Sequence, residues 1–537
     1  MCRQRIRPLA RRLTGVAAAV CLAAAIAPAA NGAWWDGMKP TASSTDLQPV
    51  ERVAVRTMPA LDYKQIADED LERDRLGLPP RYAIPHESFI TPDTDGAWEF
   101  TDDGRAVWRL RIDAPNAVSI NLGFTRYFMP KGGQLFIYSA DMTEVVRPFT
   151  AMDNEDHGEL WTPPVDANSI VIELTVPQKA RERVELELGS INLGYKTWGE
   201  LMDRSGSCNV DVVCPEGDDW RDEIASVGVI STGGSTFCTG FMVNNAEYDL
   251  TPYFMTADHC GISAGNAASL VVFWNYENST CRPPGSPASG GPGDGTLDEF
   301  NTGSTFLASY SPSDFTLVVL DDDPQQEWFV SYAGWDATGA DATTAIAIHH
   351  PATDEKRISF EYDGTFTSSY LGETVPGDGT HVWVPDWDVG TTEPGSSGSP
   401  LFNQDHRVIG QLHGGYAACG NDLADWYGKF SVSWNNGLSD HLDPNDTGVL
   451  TVDTLSTRGI TVSPSGNVLH LGEVGGPFTN DTVVYTLTNN TPDPASYEVR
   501  LTTFIGLLLD GDVVPLTGTI PPQSDTTFTV TLAPGVN

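Results

Sequence analysis

The sequence predicts a mostly β protein with three folded units behind a removable leader. Its 537 residues exceed what one hydrophobic core organises, because single cores stop growing at about 250–300 residues. The 52 glycines and 37 prolines favour turns, and apolar residues alternate with polar ones over many short runs. Such alternation places one face of each strand against a core, so the three units are expected to be built from β-sheets.

The first unit is a predicted β-sandwich within residues 34–204. Apolar residues recur at every second position over 108–112 and 170–174, and glycine-containing turns separate these runs. The preceding segment, 34–85, is charged and irregular, and it predicts a linker with one short helix at 68–76. The unit contains no group of residues typical of a catalytic site. It is therefore interpreted as a propeptide, with a carbohydrate-binding module and a plain accessory domain as alternatives.

The second and third units differ in composition. The second, residues 205–447, is rich in β patterns and contains all six cysteines that follow the leader. The third, residues 456–537, predicts an immunoglobulin-like sandwich, since apolar residues recur at every second position over 483–487 and 528–532. The sequence stops soon after the last of these strands, so an incomplete sandwich from a longer protein and a complete one both remain open.

The leader, residues 1–33, reads as a secretory signal peptide. Five arginines are followed by an apolar stretch at 16–27 and by small residues at 30–33. The apolar stretch is too short to span a bilayer, so no membrane anchor is expected. The signal predicts secretion, with the extracellular medium and the periplasm both open as destinations.

The net charge of −41 limits the partners of the chain. Nucleic acids are excluded as ligands, because binding to phosphates requires clustered Lys and Arg. High net charge keeps proteins soluble and dispersed, and we expect a monomer. The cysteines lack zinc-site spacing, and the acidic run 321–323 lacks the alternation of a calcium loop. No metal and no cofactor are predicted.

Six cysteines remain once the leader is removed. An even number in an exported protein predicts three disulfides, and counting alone allows fifteen pairings. These cysteines are Cys208, Cys214, Cys238, Cys260, Cys281 and Cys419.

Three short segments of the second unit carry candidate chemistry. His259 follows an apolar strand and precedes a cysteine, Asp314 directly precedes the apolar run 315–320, and Ser397 lies in a Gly-Ser-Ser-Gly turn. A serine hydroxyl needs an adjacent base to act as a nucleophile. His259 is the candidate base, and Asp314 is the candidate residue that orients it. The order His, Asp, Ser is that of the chymotrypsin arrangement.

The glycines of the serine segment permit a strained turn. Gly395 and Gly398 allow backbone conformations that a Cβ atom disfavours. Such a turn directs the backbone N–H groups of Gly395 and Ser397 toward one point, where they form an oxyanion hole for the developing negative charge.

Together these segments resemble those of the bacterial lysyl endopeptidases, and the similarity extends over residues 208–446. The matching segments are 205–217, 238–245, 273–281, 347–351, the serine segment and 410–415. The resemblance implies a chymotrypsin-like double β-barrel with the active site between the barrels. It also implies the disulfides Cys208–Cys419, Cys214–Cys281 and Cys238–Cys260.

The resemblance further implies a pocket for a basic side chain. Asp425 matches the acidic residue of the family's specificity pocket, and Thr392 is expected to line it. His413 and Gly415 are expected to bind the substrate backbone, with His413 stacked on Tyr370. The implied substrates are proteins and peptides with Lys before the scissile bond. Ala417 occupies a position where a residue with a hydroxyl donor could have contributed to the selection of Lys. Cleavage after Arg therefore remains an alternative.

Two hypotheses follow. The first is a secreted serine endopeptidase, made as a zymogen whose propeptide is removed by cleavage after Lys196 or Arg204. The alternative is a non-catalytic binding or adhesion protein on a protease scaffold. The presence of all three residues, His259, Asp314 and Ser397, favours the enzyme.

Overall fold

The computed structural model describes residues 38–44, 47–196, 205–457, 460–463, 482–489, 495–499, 507–511, 516–521 and 524–532. The predicted signal peptide lies outside the described residues, as do Arg204 and much of the C-terminal unit. Among the helices that are described, none has the length and apolarity needed to cross a membrane.

The N-terminal unit is a two-sheet sandwich, as the alternating runs predict. One sheet contains, in spatial order, Val55–Thr57, Arg105–Asp113, Ser169–Pro177, Gln134–Ser139 and Phe149–Thr150, with Ala97–Phe100 also paired to Arg105–Asp113. The other contains Ala83–Ile90, Glu185–Gly194, Ser119–Phe128 and Leu160–Trp161. The alternating residues Trp108, Leu110 and Ile112 are buried between the sheets.

The segment before this sandwich is more ordered than its charge indicates. The helix runs over Tyr63–Arg75, so it begins five residues before the predicted start. Asp62 caps it, because its carboxylate accepts the backbone N–H groups of Lys64 and Gln65. Ile66 is its only buried residue, which explains the weak apolar period. The predicted linker also contains the start of the strand Ala83–Ile90.

The central unit is built on two antiparallel sheets that form the two barrels of a chymotrypsin-like domain. The first sheet contains Phe300–Thr302, Val271–Phe273, Val227–Thr232, Thr236–Met242, Tyr253–Ala257, Phe315–Leu320 and Ser304–Tyr310. The second contains Val210–Asp211, Arg357–Glu361, Ala345–His349, Pro400–Asn403, Val408–Gly415, Asp425–Lys429, His381–Val384 and Phe366–Ser368, with Trp335–Asp336 and Thr451–Val452 beside it.

Helices are short in the central unit. They are Arg221–Ile224, Phe430–Ser433, Trp434–Leu438 and Ser439–Leu442. In the described residues, short 3-10 helices lie at Thr41–Ser43, Val50–Arg52, Ala151–Asp153, Gln178–Arg183, Pro215–Trp220, Asp258–Cys260, Ala267–Ser269, Ser311–Ser313, Gln326–Trp328 and Pro351–Thr353.

The C-terminal unit again contains two sheets, in agreement with the predicted sandwich. One is formed by Ile460–Ser463, Thr482–Asn489, Ser524–Leu532 and Leu507–Leu509, and the other by Ala495–Val499 and Leu516–Ile520. Tyr485 and Phe528 stack in its core, with ring centroids 5.3 Å apart.

The N-terminal sandwich packs directly on the first barrel. The Pro80 carbonyl accepts the Phe237 N–H at 3.0 Å, and the Tyr82 N–H donates to the Ser235 carbonyl at 2.9 Å. The buried Tyr82 hydroxyl also contacts the Ser231 hydroxyl at 2.8 Å. These bonds extend the hairpin of the first barrel by a short segment of the N-terminal unit.

Three disulfides hold the central unit. The structure pairs Cys208 with Cys419, Cys214 with Cys281 and Cys238 with Cys260, the pairing that the family resemblance implies. Among the described residues no cysteine is free. Cys238–Cys260 links the strand Thr236–Met242 to the turn that carries His259. The position of that turn is therefore fixed covalently.

Candidate active site

His259 and Asp314 are brought together by two neighbouring strands. Tyr253–Ala257 pairs with Phe315–Leu320, so the residues at their adjoining ends meet. His259 lies in the turn after the first strand, and Asp314 directly precedes the second. The His259 Nδ1 atom lies 2.8 Å from Asp314 Oδ2, and the His259 backbone N–H donates to Oδ1 at 2.9 Å. Asp314 is 2% exposed, so its charge is shielded from water.

The Ser397 segment is fixed by backbone hydrogen bonds to both barrels. The Ser397 carbonyl accepts the Thr239 N–H at 2.8 Å, which fastens it to the first barrel. The following Gly398 donates its N–H to the Leu412 carbonyl of the second barrel at 2.8 Å. A Cβ atom on Gly398 would lie 2.2 Å from Thr256 Oγ1, so only glycine permits this close approach. Ser397 itself is half-buried.

The serine turn contains two backbone N–H groups, those of Gly395 and Ser397, for which the described residues provide no acceptor. Gly395 has a φ of +100°, and a Cβ there would meet the Phe237 ring at 2.4 Å. Its carbonyl accepts the Thr239 hydroxyl at 2.9 Å, which fixes the peptide plane. Within the part of the chain that the structure describes, the N–H groups of Gly395 and Ser397 have no hydrogen-bond acceptor. They are free to bind an oxyanion.

His413 lies beside the His259–Asp314 pair. The strand Val408–Gly415 changes register between Leu412 and Gly414, and this bulge directs the His413 ring into the site. Its Nδ1 atom lies 3.7 Å from Asp314 Oδ2. Tyr370 stacks on the His413 ring, with ring centroids 3.6 Å apart and planes 5° from parallel. The expected stacking on Tyr370 is therefore present.

Two residues next to His413 have no signal in the sequence. His381 Nε2 lies 2.9 Å from His413 Nδ1, and His381 Nδ1 lies 2.7 Å from the Thr380 hydroxyl. Burial lowers the pKa of both His381 and His413 to about 4. Both rings are therefore neutral at neutral pH. Their approach depends on pairing between distant strands, which no local motif reveals.

Asp425 is buried at the start of the strand Asp425–Lys429. It is 1% exposed, and its Oδ2 atom accepts the Thr392 hydroxyl at 2.7 Å and the Trp387 indole N–H at 2.8 Å. Burial raises the pKa of Asp425, while these donors and the Ala417 backbone oppose the rise. Among the residues that are described, neither Lys nor Arg forms an ion pair with it.

Gly415 forms the rim above this carboxylate. It faces Asp425 in the strand pairing, and a Cβ atom on Gly415 would lie 2.2 Å from Asp425 Oδ1. Any larger residue would occupy the space in front of Oδ1. Among the residues that contact Asp425, Trp387 was missed by sequence reasoning. It donates its indole N–H from a loop that lies 38 residues from Asp425 in the sequence.

A metal ion is not required by this geometry. The nearest donor atoms of His259, Asp314 and His413 lie within 4.8 Å of one another. The His259–Asp314 contact at 2.8 Å is already a complete hydrogen bond. The other candidate group combines His259 with Cys238 and Cys260, which are joined in a disulfide.

Two family models match the chain. The lysyl endopeptidase C-terminal domain matches residues 202–428, and the lysyl endopeptidase N-terminal domain matches residues 87–191. Among curated proteins, the lysyl endopeptidase of Pseudomonas aeruginosa is 27% identical over 398 residues, which are 66% of this chain and 79% of that protein.

Solved protease structures also align with part of the chain. The active form of the Rv3671c protease from M. tuberculosis is 15% identical and covers 44% of this chain and 93% of its own, with a TM-score of 0.27. A Glu endopeptidase is 18% identical and covers 40% of this chain and 89% of its own, with a TM-score of 0.26.

The double-barrel domain and the family matches define the class of protein: the chain is a serine endopeptidase. Within this class it is a bacterial lysyl endopeptidase-like protein, since its N-terminal and central units both match that family. The alternative of a non-catalytic binding protein is thereby set aside.

Proposed function

We propose that the protein cleaves peptide bonds on the carboxyl side of Lys, with Ser397 as the nucleophile. The observation that carries the proposal is the Asp425 carboxylate, which is buried next to a glycine rim without a cation among the described residues. A buried carboxylate that lacks a cation is destabilised, so a substrate ammonium is a favourable partner for it. Substrate binding supplies the missing charge.

In the proposed reaction, His259 takes the proton of the Ser397 hydroxyl as that oxygen attacks the scissile carbonyl. Asp314 holds the His259 ring through Nδ1 at 2.8 Å and stabilises the imidazolium that forms. The imidazolium then donates its proton to the leaving amine, and water hydrolyses the acyl-enzyme by the same route in reverse.

The proposed oxyanion hole consists of the Gly395 and Ser397 N–H groups. Its support is their lack of any other acceptor in the described residues, together with the fixed orientation of the Gly395 peptide. Loss of one such donor typically costs about 3 kcal/mol of transition-state stabilisation.

The substrate backbone is proposed to pair with His413–Gly415. This end of Val408–Gly415 pairs with Asp425–Lys429 on one side, and its pairing with Pro400–Asn403 ends at Gln411. Its remaining side can accept an extended peptide as an added antiparallel strand. Such pairing places the side chain before the scissile bond over Gly415 and Asp425.

Preference for Lys over Arg is proposed because the Asp425 carboxylate already accepts hydrogen bonds from neighbouring residues. Oδ2 already accepts two hydrogen bonds, from Thr392 and Trp387, and the Ala417 backbone also donates to this carboxylate. Guanidinium groups bind carboxylates best with two parallel bonds, whereas an ammonium binds as a point charge. A carboxylate that already accepts these hydrogen bonds has little capacity for two further parallel bonds, and this suits Lys.

We further propose that the chain is secreted as a monomeric zymogen whose N-terminal unit is removed after Lys196 or Arg204. Its three disulfides are typical of exported proteins. Lys196 remains on the N-terminal sandwich, with Nζ 3.6 Å from Asp70. Intact mass and size-exclusion measurements on secreted protein test this processing and the monomeric state.

An active-site label tests the nucleophile. A fluorophosphonate is expected to modify the processed protein once, at Ser397, and Ser397→Ala is expected to abolish both labelling and peptide cleavage. Ser399→Ala is the matched control in the same turn, and it should retain labelling. Cleavage by purified Ser397→Ala protein would contradict the proposal.

Peptide mapping tests the pocket. Mass spectrometry of fragments from a mixed protein substrate is expected to show Lys before the cleaved bonds. Asp425→Asn should remove this preference, whereas Asp422→Asn, in the adjacent exposed loop, should leave it unchanged. An identical cleavage profile for Asp425→Asn would show that another residue selects the substrate.

A further inference from the structure

A chain of four polar groups leads from the surface to the candidate triad. Asp378 Oδ1 accepts the Thr380 hydroxyl at 2.7 Å, and that oxygen lies 2.7 Å from His381 Nδ1. His381 Nε2 lies 2.9 Å from His413 Nδ1, which in turn lies 3.7 Å from Asp314 Oδ2. Asp378 is exposed, whereas His381 is 1% exposed.

The contacts at the Asp378 end of this series of hydrogen bonds determine which nitrogen of His381 carries the hydrogen. Hydrogen bonds from Thr380 lower the pKa of the Asp378 carboxylate, so it is ionised and only accepts hydrogen bonds. The Thr380 hydroxyl has one hydrogen, and the contact with Asp378 uses it. The Thr380 oxygen must then accept from His381, which places the His381 hydrogen on Nδ1.

The position of the hydrogen on His413 follows from the neutrality of the His381 and His413 rings. Because burial keeps both histidines uncharged at neutral pH, each ring has one N–H and one acceptor nitrogen. With its hydrogen on Nδ1, His381 offers a lone pair at Nε2. The 2.9 Å contact then requires that His413 donates from Nδ1.

The opposite arrangement is unfavourable at both ends. It would direct the Thr380 hydrogen toward His381 and away from the Asp378 carboxylate. It would also leave His413 Nδ1 without a hydrogen at 3.7 Å from Asp314 Oδ2, so that a partly negative nitrogen would lie beside a buried charge. The carboxylates of Asp378 and Asp314, at the two ends of this series of hydrogen bonds, therefore favour the same direction of hydrogen-bond donation.

We propose that Asp378, Thr380 and His381 form a hydrogen-bond relay that fixes His413 as its Nδ1–H tautomer and positions it beside Asp314. The proposal rests on the proposed function of Asp314 in the triad. His381, Thr380 and Asp378 are positioning residues, because they act only through His413. The His413 Nδ1–H group donates to His381 Nε2, and its partial positive charge lies 3.7 Å from Asp314 Oδ2.

Histidine tautomers are measured directly by long-range 1H–15N correlation NMR. The experiment uses the full chain with 15N-labelled histidine and the Ser397→Ala substitution, which prevents self-cleavage. His381→Gln and His413→Gln assign the signals. Both rings are expected as Nδ1–H tautomers at pH 7.5. An Nε2–H signal for either ring overturns the proposal.

Kinetics with an intact nucleophile give a second, independent measurement. Thr380→Val removes the acceptor for His381 and is expected to lower kcat about five- to tenfold with little change in KM, the effect of one hydrogen bond. Thr380→Ser should restore the kcat, and Thr374→Val, in the same loop, should leave it unchanged. An unchanged kcat in Thr380→Val contradicts the relay. Because tautomers are read without catalysis, failure of the proposed function would remain distinguishable.

Discussion

Removal of the Thr392 hydroxyl should weaken the selection of Lys over Arg. In Thr392→Ala, Asp425 Oδ2 loses the donor at 2.7 Å and keeps only the Trp387 N–H. Hydrogen bonds to charged groups contribute about 1.5–3 kcal/mol, which corresponds to about 10- to 150-fold in kcat/KM. The lower end of this range of kcat/KM is expected, because the substrate ammonium compensates for part of the lost hydrogen bond.

Arginine substrates should respond differently to the same change. A guanidinium can donate to the vacated position on Oδ2 while a second N–H contacts Oδ1. The kcat/KM for Lys is therefore expected to fall about tenfold, whereas that for Arg stays constant, so the Lys-to-Arg ratio falls about tenfold. Matched peptide substrates that differ only in this residue measure the ratio.

The pH dependence provides an internal check. The Thr392 hydrogen bond lowers the pKa of Asp425 against the effect of burial, so its loss raises that pKa further. Cleavage after Lys requires the ionised carboxylate, and kcat/KM should therefore begin to fall at a higher pH than in the unaltered protein. Thr391→Ala, which removes a buried neighbouring hydroxyl, is the control. Equal loss for Lys and Arg, or no loss, would refute the reasoning.

Three further predictions concern the rim, a disulfide and a buried histidine. Gly415→Val places a side chain before Asp425 Oδ1 and should lower kcat/KM for Lys substrates more than a hundredfold, as measured with the same peptides. Replacing Cys238 and Cys260 by Ala in inactive protein should cost about 3 kcal/mol of unfolding free energy in urea. Burial lowers the pKa of His349 to about 3, so its contribution to stability is lost as pH falls from 6.5 toward 3, by about 1.4 kcal/mol per pH unit. His349→Gln should therefore flatten the acid slope of stability, and an unaltered slope would contradict the assignment.

The parts that sequence predicted best are those set by local patterns. Alternating apolar residues indicated strands of the first and third units, and the strand-end positions of His259 and Asp314 in the central unit followed from the apolar runs beside them. The disulfide pairing could not be derived from spacing, since six cysteines allow fifteen pairings, and it came from the family resemblance.

The parts that sequence did not predict depend on contacts between distant segments. His381 and Trp387 reach the site across 32 and 38 residues of chain, respectively, from the partners that they contact. The helix Tyr63–Arg75 was placed too late, because its single buried residue, Ile66, provides almost no apolar period. Its Asp62 cap was the usable signal, and the charged composition obscured it.

The central claim is that a buried carboxylate recognises the substrate ammonium, and one comparison tests it most directly. Two peptides are identical except that one has Lys before the scissile bond and the other has norleucine, which has a similar apolar chain without the charge. The unaltered protein should cleave the Lys peptide with a kcat/KM at least about a hundredfold higher, as expected for a lost buried ion pair of about 3 kcal/mol. Values within about threefold of each other would contradict the claim, because Asp425 would then contribute no charge recognition.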